Sequence, residues 1–406
     1  MPRRVLVITP GLPAPPRFGG PIAWYQTLRA LRHEGVPVTL VSAYARGADL
    51  EGFQRAAAEI CDAAFTYPAK QRLTRALHPL RPYYAWTLTP NARETTELRR
   101  FCAEYAADAD VALLEHPYVH DVYAALAPAL PRRHALVLHS LNRESDYYRA
   151  LMGDLPWTAP RRYLAAAEWL RMGRYERRVV AAADGVASVS DVETAALGAT
   201  GKAYWFPLSF MDGLPPLELD AAEAREFGAL RERADGRPVL LFSGSFLGGH
   251  NVRAVHWFLD AVLPRLRARG VRAFTVIAGL RANQFLPGVG GRDVHVVSDF
   301  DSPRPLIRLA DVHLILTFGT AGVKLKLLEA VYHQKPVVST VAGVVGSGLG
   351  HLVPQSDDPD AFAAACVDAL AGRVDLSPLW ARYAELYDPA RNARAFAEWL
   401  THRTPR

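Results

Sequence analysis

The chain has 406 residues, half of them hydrophobic and 22% charged, which is the composition of a globular protein and excludes a disordered one. No run approaches the roughly 20 apolar residues of a membrane-spanning helix, and three widely spaced cysteines, Cys61, Cys102 and Cys366, fit neither a disulfide framework nor a zinc site. The formal net charge is +6, and residues 1–205 hold 25 Lys+Arg against 20 Asp+Glu while the remainder holds 22 against 21. That imbalance points to an anionic partner for the first half, or to an arginine-rich codon bias with no partner at all.

Arg3 and Arg4 ahead of an apolar run imitate a signal peptide, but the run is short and a glycine- and proline-rich loop follows. The segment reads instead as the first strand of a cytosolic protein. Val5 to Ile8 is that strand, Thr9 to Gly20 a loop, Ile22 to Leu31 a helix and Val36 to Val41 a second strand, the opening of a parallel α/β sheet. Further strands are predicted at 111–114, 135–138, 185–189 and 203–206. Ser190 and Glu193 have the spacing of a capping box.

Residues 207–216, with three prolines and a glycine, predict a linker. The pattern then restarts. A polar helix over 220–233 precedes strand 239–242, a glycine turn, a helix from Asn251 to about Ala268, and strands at 274–278, 294–297, 313–316 and 336–339. Helices are predicted at 305–309, near 322–333, at 359–372 and at 378–400. The domains expected are therefore 1–206, a linker at 207–216, a second domain over 217–385 and a closing helix over 386–406. Two parallel-sheet domains facing across a cleft would bind ligand between the carboxyl ends of their strands.

Lysine is rare, at positions 70, 202, 324, 326 and 335 only. Lys324 and Lys326 stand behind the turn Gly319–Gly322, and a helix start beside cations suits a phosphate or diphosphate. Glu329 follows as a carboxylate suited to ribose hydroxyls. The plainer reading of the same residues is an exposed helix face with a Lys326–Glu329 ion pair at i, i+3.

Several segments in fixed order resemble the GT-B glycosyltransferases, most closely glycosyltransferase family 4. They are Pro10–Gly20, His139–Arg149, Phe242–Asn251 with Trp257–Pro264, Val296–Phe300 with Leu309–Asp311, and Lys324–Thr340. The resemblance implies two Rossmann-like α/β domains with parallel sheets, the first binding the acceptor and the second a nucleotide diphosphate sugar, with the helix of 386–406 crossing back to the first domain. It implies sugar transfer to an acceptor hydroxyl with retention of configuration, in polysaccharide, glycolipid or specialised-metabolite synthesis. No cofactor and no metal are expected beyond the nucleotide sugar, the pair Asp299 and Asp301 being an accidental match to a metal motif. The first of two glutamates common in the family is replaced here by Ala321. Other readings are a nucleotide-sugar epimerase or sugar-phosphate enzyme on the same fold, or a non-catalytic partner protein.

By this resemblance His139, Lys324 and Glu329 carry the chemistry. Lys324 is expected to clamp the diphosphate and Lys326 to be solvated or supporting, because a helical period separates them by roughly 200°. Gly19, Gly20, Ser243, Gly244, Asn251, Ser298, Phe300 and Gly322 are expected to line the donor site, with Asn251 capping its helix. His116, after the strand at 111–114, and Arg72, Arg75 and Trp86, in the basic, aromatic stretch 70–86, mark an acceptor or membrane surface. The second such stretch, 161–178, reads either as a basic, aromatic surface for an anionic leaflet or, in preference, as a core helix with a solvated arginine face. No nucleic-acid-reading module is present.

Overall fold

The computed structural model describes residues 4–14, 19–70, 81–210, 218–246, 249–300, 302–319 and 322–403. The chain divides into two compact units, Met1–Met211 with Tyr387–Arg406, and Asp212–Leu386.

The first unit is built on seven parallel strands: β1 Val5–Thr9, β2 Val38–Tyr44, β3 Ala63–Pro68, β4 Val111–Leu114, β5 Ala135–Ser140, β6 Gly185–Ser188 and β7 Ala203–Trp205, in the order β3-β2-β1-β4-β5-β6-β7. Its helices are α1 Gly19–His33, α2 Leu50–Ile60, α3 Tyr83–Leu88, α4 Ala92–Tyr105, α5 His120–Leu126, α6 Glu144–Asp154, α7 Pro160–Ala182 and α8 Asp191–Leu197. The central strands are apolar on both sides because helices cover both faces. Leu6, Ile8 and Leu138 join one buried cluster; Val5, Val7 and Val137 join the other.

The second unit has five parallel strands: β8 Val239–Ser243, β9 Phe274–Gly279, β10 Val294–Ser298, β11 Val312–Ile315 and β12 Val337–Ser339, in the order β10-β9-β8-β11-β12. Around them lie α9 Ala221–Ala234, α10 Gly249–Trp257, α11 Leu263–Ala268, α12 Ala282–Phe285, α13 Arg304–Leu309, α14 Leu325–Tyr332, α15 Pro359–Leu370 and α16 Ser377–Leu386. A π-helical turn, Phe258–Val262, joins α10 to α11. In both sheets the strand order reverses beside the unit's first strand, between β1 and β4 and between β8 and β11. That reversal opens a crevice at the carboxyl ends.

Four expectations need correcting. Strand β3 was not anticipated; its Ala-Ala-Phe-Thr-Tyr run is only partly buried at the sheet edge, so it lacks the continuous apolar signal of the inner strands. The expected helix 378–400 is two helices. Pro389 cannot continue a helix, and the Asp388 side chain accepts from the Arg391 amide to start α17, Pro389–Thr401. Helix α17 packs in the first unit, where Phe396 stacks on Phe206 with ring centres 4.1 Å apart. Only half of the capping box forms: Ser190 accepts from the Glu193 amide, but the Glu193 carboxylate bonds Arg143 N and Ser188 instead. Of the expected linker, residues 207–210 belong to the first unit, and Asn392 donates to the Ser209 hydroxyl at 2.9 Å. Residues 211–216 lie outside the described residues.

Candidate functional sites in the two units

In the second unit, β8 ends at Ser243 and the chain turns through Gly244 toward α10. The turn is held by its neighbours. The Gly244 amide bonds Ala278 O at 2.9 Å, and Asn251 Nδ2 donates to Ser245 O at 2.7 Å. A Cβ at Gly279, where φ is +159°, would lie 1.6 Å from Gly244 O, so only glycine allows β9 to pass this close. Asn251 is not the helix cap expected of it. Helix α10 begins two residues earlier, at Gly249, and the buried Asn251 amide ties the turn from inside the first helical turn.

Helix α14 starts at Leu325, which corrects the helical-wheel argument for the two lysines. Lys324 is the residue before the helix, in extended backbone, and folds its Nζ back to Gly322 O at 2.6 Å. Gly322 turns the chain with φ +76°. Lys326 is not solvated. Its Nζ donates to Ser243 O at 3.1 Å and sits 4.0 Å from the centre of the Phe242 ring. Burial, aided by the nearby Lys324 charge, pulls its ammonium down to about 7. Burial alone pushes the Glu329 carboxyl up to about 7. The two do not form the i, i+3 ion pair, and among the described residues no ion pair or hydrogen bond engages the Glu329 carboxylate. The structure therefore brings Ser243, Gly244, Asn251 and Lys326 together at the head of β8, with Lys324 and Gly322 at the start of α14.

Ser298 ends β10, at the sheet edge, and Phe300 comes two residues later. Ser298 Oγ donates to Asp299, and the Asp299 carboxylate receives the Arg281 amide at 2.9 Å, which holds Asp299 below the usual carboxylate range. The Phe300 ring is partly buried and packs against the hydrophobic cluster of Leu230, Val239, Leu241, Leu306 and their neighbours. Asp301 lies outside the described residues, among which no group of three or more His, Cys, Asp or Glu side chains could hold a metal ion.

In the first unit, Gly19 and Gly20 form the first turn of α1, not the loop before it. A Cβ at Gly20 would press on the Trp24 indole at 3.1 Å. His139, next to last in β5, is fully buried. Its Nδ1 lies 2.8 Å from Glu115 Oε2, and its ring packs beside Phe206 and Phe396. Its Nε2 and Glu115 Oε1 have no hydrogen-bond partner among the described residues. Sequence reading missed Glu115; its place directly after β4 was the available signal. His116 caps the 3-10 turn Pro117–Val119 and stacks on Tyr118, and Glu144 accepts from both. Burial pushes the Glu144 carboxyl up, but the His116 and Tyr118 hydrogen bonds and the His116 charge outweigh it and leave it low. Trp86 lies under the Lys70 ammonium at 5.1 Å, while Arg72 and Arg75 lie outside the described residues.

Residues 237–372, nearly all of the second unit's sheet and helices, match the family described as Glycosyl transferases group 1. No curated protein matches the chain. The whole chain is similar in structure to HepE of Anabaena solved with UDP, at 13% identity over 98% of this chain and 99% of that one, TM-score 0.62. It is similar to a glycosyltransferase of Rickettsia africae, at 10% identity over 98% of each chain, TM-score 0.64. The trehalose-6-phosphate protein of E. coli, bound with UDP-2-fluoro glucose, aligns at 14% identity over 99% of this chain and 100% of that one, TM-score 0.62. Two α/β units with parallel sheets of seven and five strands are the GT-B fold.

Proposed function

We propose that this protein is a glycosyltransferase that moves a sugar from a nucleoside diphosphate donor to an acceptor hydroxyl, with retention at the anomeric carbon and no resident cofactor. The observation that carries the reading is the pair Lys324 and Lys326 beside the Ser243–Gly244 turn, at the strand-order reversal of the second unit. Two ammonium groups held at one turn repel each other, and the Lys324 charge adds to the burial that pulls the Lys326 ammonium down. A diphosphate offsets both charges, and it restores the proton that burial draws from Lys326.

The family match covers this same segment, and two fold relatives were solved with UDP or a UDP-sugar analogue. Sugar transfer sheds a nucleoside diphosphate as negative charge builds on its leaving oxygen. Cations and amides already in place stabilise that charge without reorganising. In this reading Glu329 accepts from the ribose hydroxyls. Gly19, Gly20 and His139 belong to the first unit's share of the reaction, His139 oriented by Glu115.

Thermal shift and calorimetry against UDP, GDP and their sugar conjugates test the proposal. A raised melting temperature with one nucleotide, and slow hydrolysis of its sugar conjugate, are expected. Failure of every nucleoside diphosphate to bind overturns it.

A further inference from the structure

Helices α6 and α7 pack together as a hairpin, with a turn over 155–159. Helix α7 has 23 residues and so is about 34 Å long. Its buried stripe is Ala165, Met172, Tyr175 and Val179, and the last three join the core of the first unit. Sequence reading took 161–178 for a core helix. Its core contacts, Trp169, Met172, Tyr175 and Val179, lie from the middle of the helix onward, with Ala165 the buried side chain ahead of them. On the first half and the turn, Trp157 is 73% exposed, Leu164 68%, Tyr163 61% and Leu170 52%. No other large apolar side chain among the described residues exceeds 55%.

These side chains are not loose. Arg162 lies over the Trp157 ring at 4.0 Å and donates to Leu155 O at 2.6 Å, and Tyr163 Oη donates to Trp157 O at 3.1 Å. The tryptophan is thus held outward before any partner arrives, which lowers the entropy lost on docking. Exposed on the same helix, Arg161, Arg174 and Arg177 have no carboxylate partner among the described residues, whereas Arg171 pairs with Glu168 and Arg178 with Asp121.

We infer that the α6–α7 tip docks on the surface of an anionic lipid bilayer. Trp157, Tyr163, Leu164 and Leu170 enter the headgroup boundary, and Arg161, Arg174 and Arg177 meet lipid phosphates. Tryptophan and tyrosine suit that boundary because one end is apolar and the other polar, and basic residues beside an apolar helix face add attraction to anionic lipid. Charge selects this occupant over a second copy of the chain: a two-fold pairing of the patch would set arginine against arginine. The first half of the chain also carries nearly all of the net positive charge. No helix among the described residues is long and apolar enough to cross a membrane, so the contact is peripheral. The inference does not rest on the donor reading, and its test uses no nucleotide.

The test is co-sedimentation of the full chain with vesicles of phosphatidylcholine alone or mixed equally with phosphatidylglycerol. Binding is expected to the mixed vesicles and to weaken as salt rises. Trp157→Ala with Leu164→Glu, and separately Arg174→Glu with Arg177→Glu, should each reduce it at least about tenfold. Melting temperatures should stay close to the parent's, since all four side chains are exposed. Equal binding by the parent and both variants, or no binding by the parent, overturns the inference. So does a concentration-dependent dimer that these substitutions abolish, which would assign the patch to a second copy.

Discussion

The ammonium of Lys326 donates to the carbonyl oxygen of Ser243 at 3.1 Å, joining the first turn of α14 to the end of β8. An ammonium has three donors and no acceptor. The Ser243 bond and the Phe242 ring fix its place and leave it donors for a ligand oxygen.

If that ammonium grips a diphosphate, Lys326→Met should weaken UDP binding at least about tenfold, since a hydrogen bond to a charged group is worth about 1.5–3 kcal/mol. Lys324→Ala should lower sugar transfer at least about tenfold as well, through its charge at the same turn. Calorimetry and single-turnover transfer check the pair. Near-parental values for both variants would remove the clamp.

Lys326 and Glu329 titrate near neutrality in opposite senses. Between pH 4.5 and about 7 the folded chain keeps a proton on Glu329 that the unfolded chain has lost, so stability falls as pH rises. Between about 7 and 10.5 the unfolded chain keeps a proton on Lys326 that the folded chain has lost, so stability rises again. The double variant Lys326→Met, Glu329→Gln should therefore gain most over the parent near pH 7, as read by urea midpoints at pH 5, 7 and 9. A bound diphosphate raises the Lys326 pKa, so UDP should take up protons at pH 8. Calorimetry in buffers of different ionisation enthalpy measures that uptake, which Lys326→Met should abolish.

Glu329→Gln separates ribose from phosphate recognition. Weaker binding of UDP with unchanged binding of inorganic pyrophosphate is expected, because only the nucleoside offers hydroxyls to the carboxylate. Equal losses for both ligands would place Glu329 with the phosphates instead.

The buried Glu115–His139 pair predicts non-additive stability. Glu115→Leu or His139→Leu alone leaves a buried partner uncompensated and should cost about 3–5 kcal/mol. The double substitution should cost well under the sum. Denaturant unfolding of the four proteins measures the coupling; strict additivity would show that the two side chains act independently.

Gly279→Ala tests the close approach of β9 to the Gly244 turn. Its Cβ would overlap the Gly244 carbonyl oxygen, so either the strand or the turn must move. A fall in melting temperature of several degrees together with reduced UDP affinity is expected. Lost stability with intact affinity would show that the turn is not part of the nucleotide site.

Eleven of the twelve strands among the described residues could be anticipated from the chain itself, the inner ones because a strand buried on both faces must be apolar along its length, as Val5–Thr9 and Phe274–Gly279 are. The turn at Gly319–Gly322 and the rarity of lysine likewise mark the start of α14 in the chain itself. Period and composition are local properties, so they reach as far as one element. What Lys326 touches is not local: its partner Ser243 lies 83 residues away, and parallel pairing of β8 with β11 decides that the two strand ends meet. The pairing of His139 with Glu115 and the outward set of Trp157 have the same origin. Each depends on which surfaces find apolar cover once the sheets assemble, and a helical or strand period cannot say which neighbour supplies it.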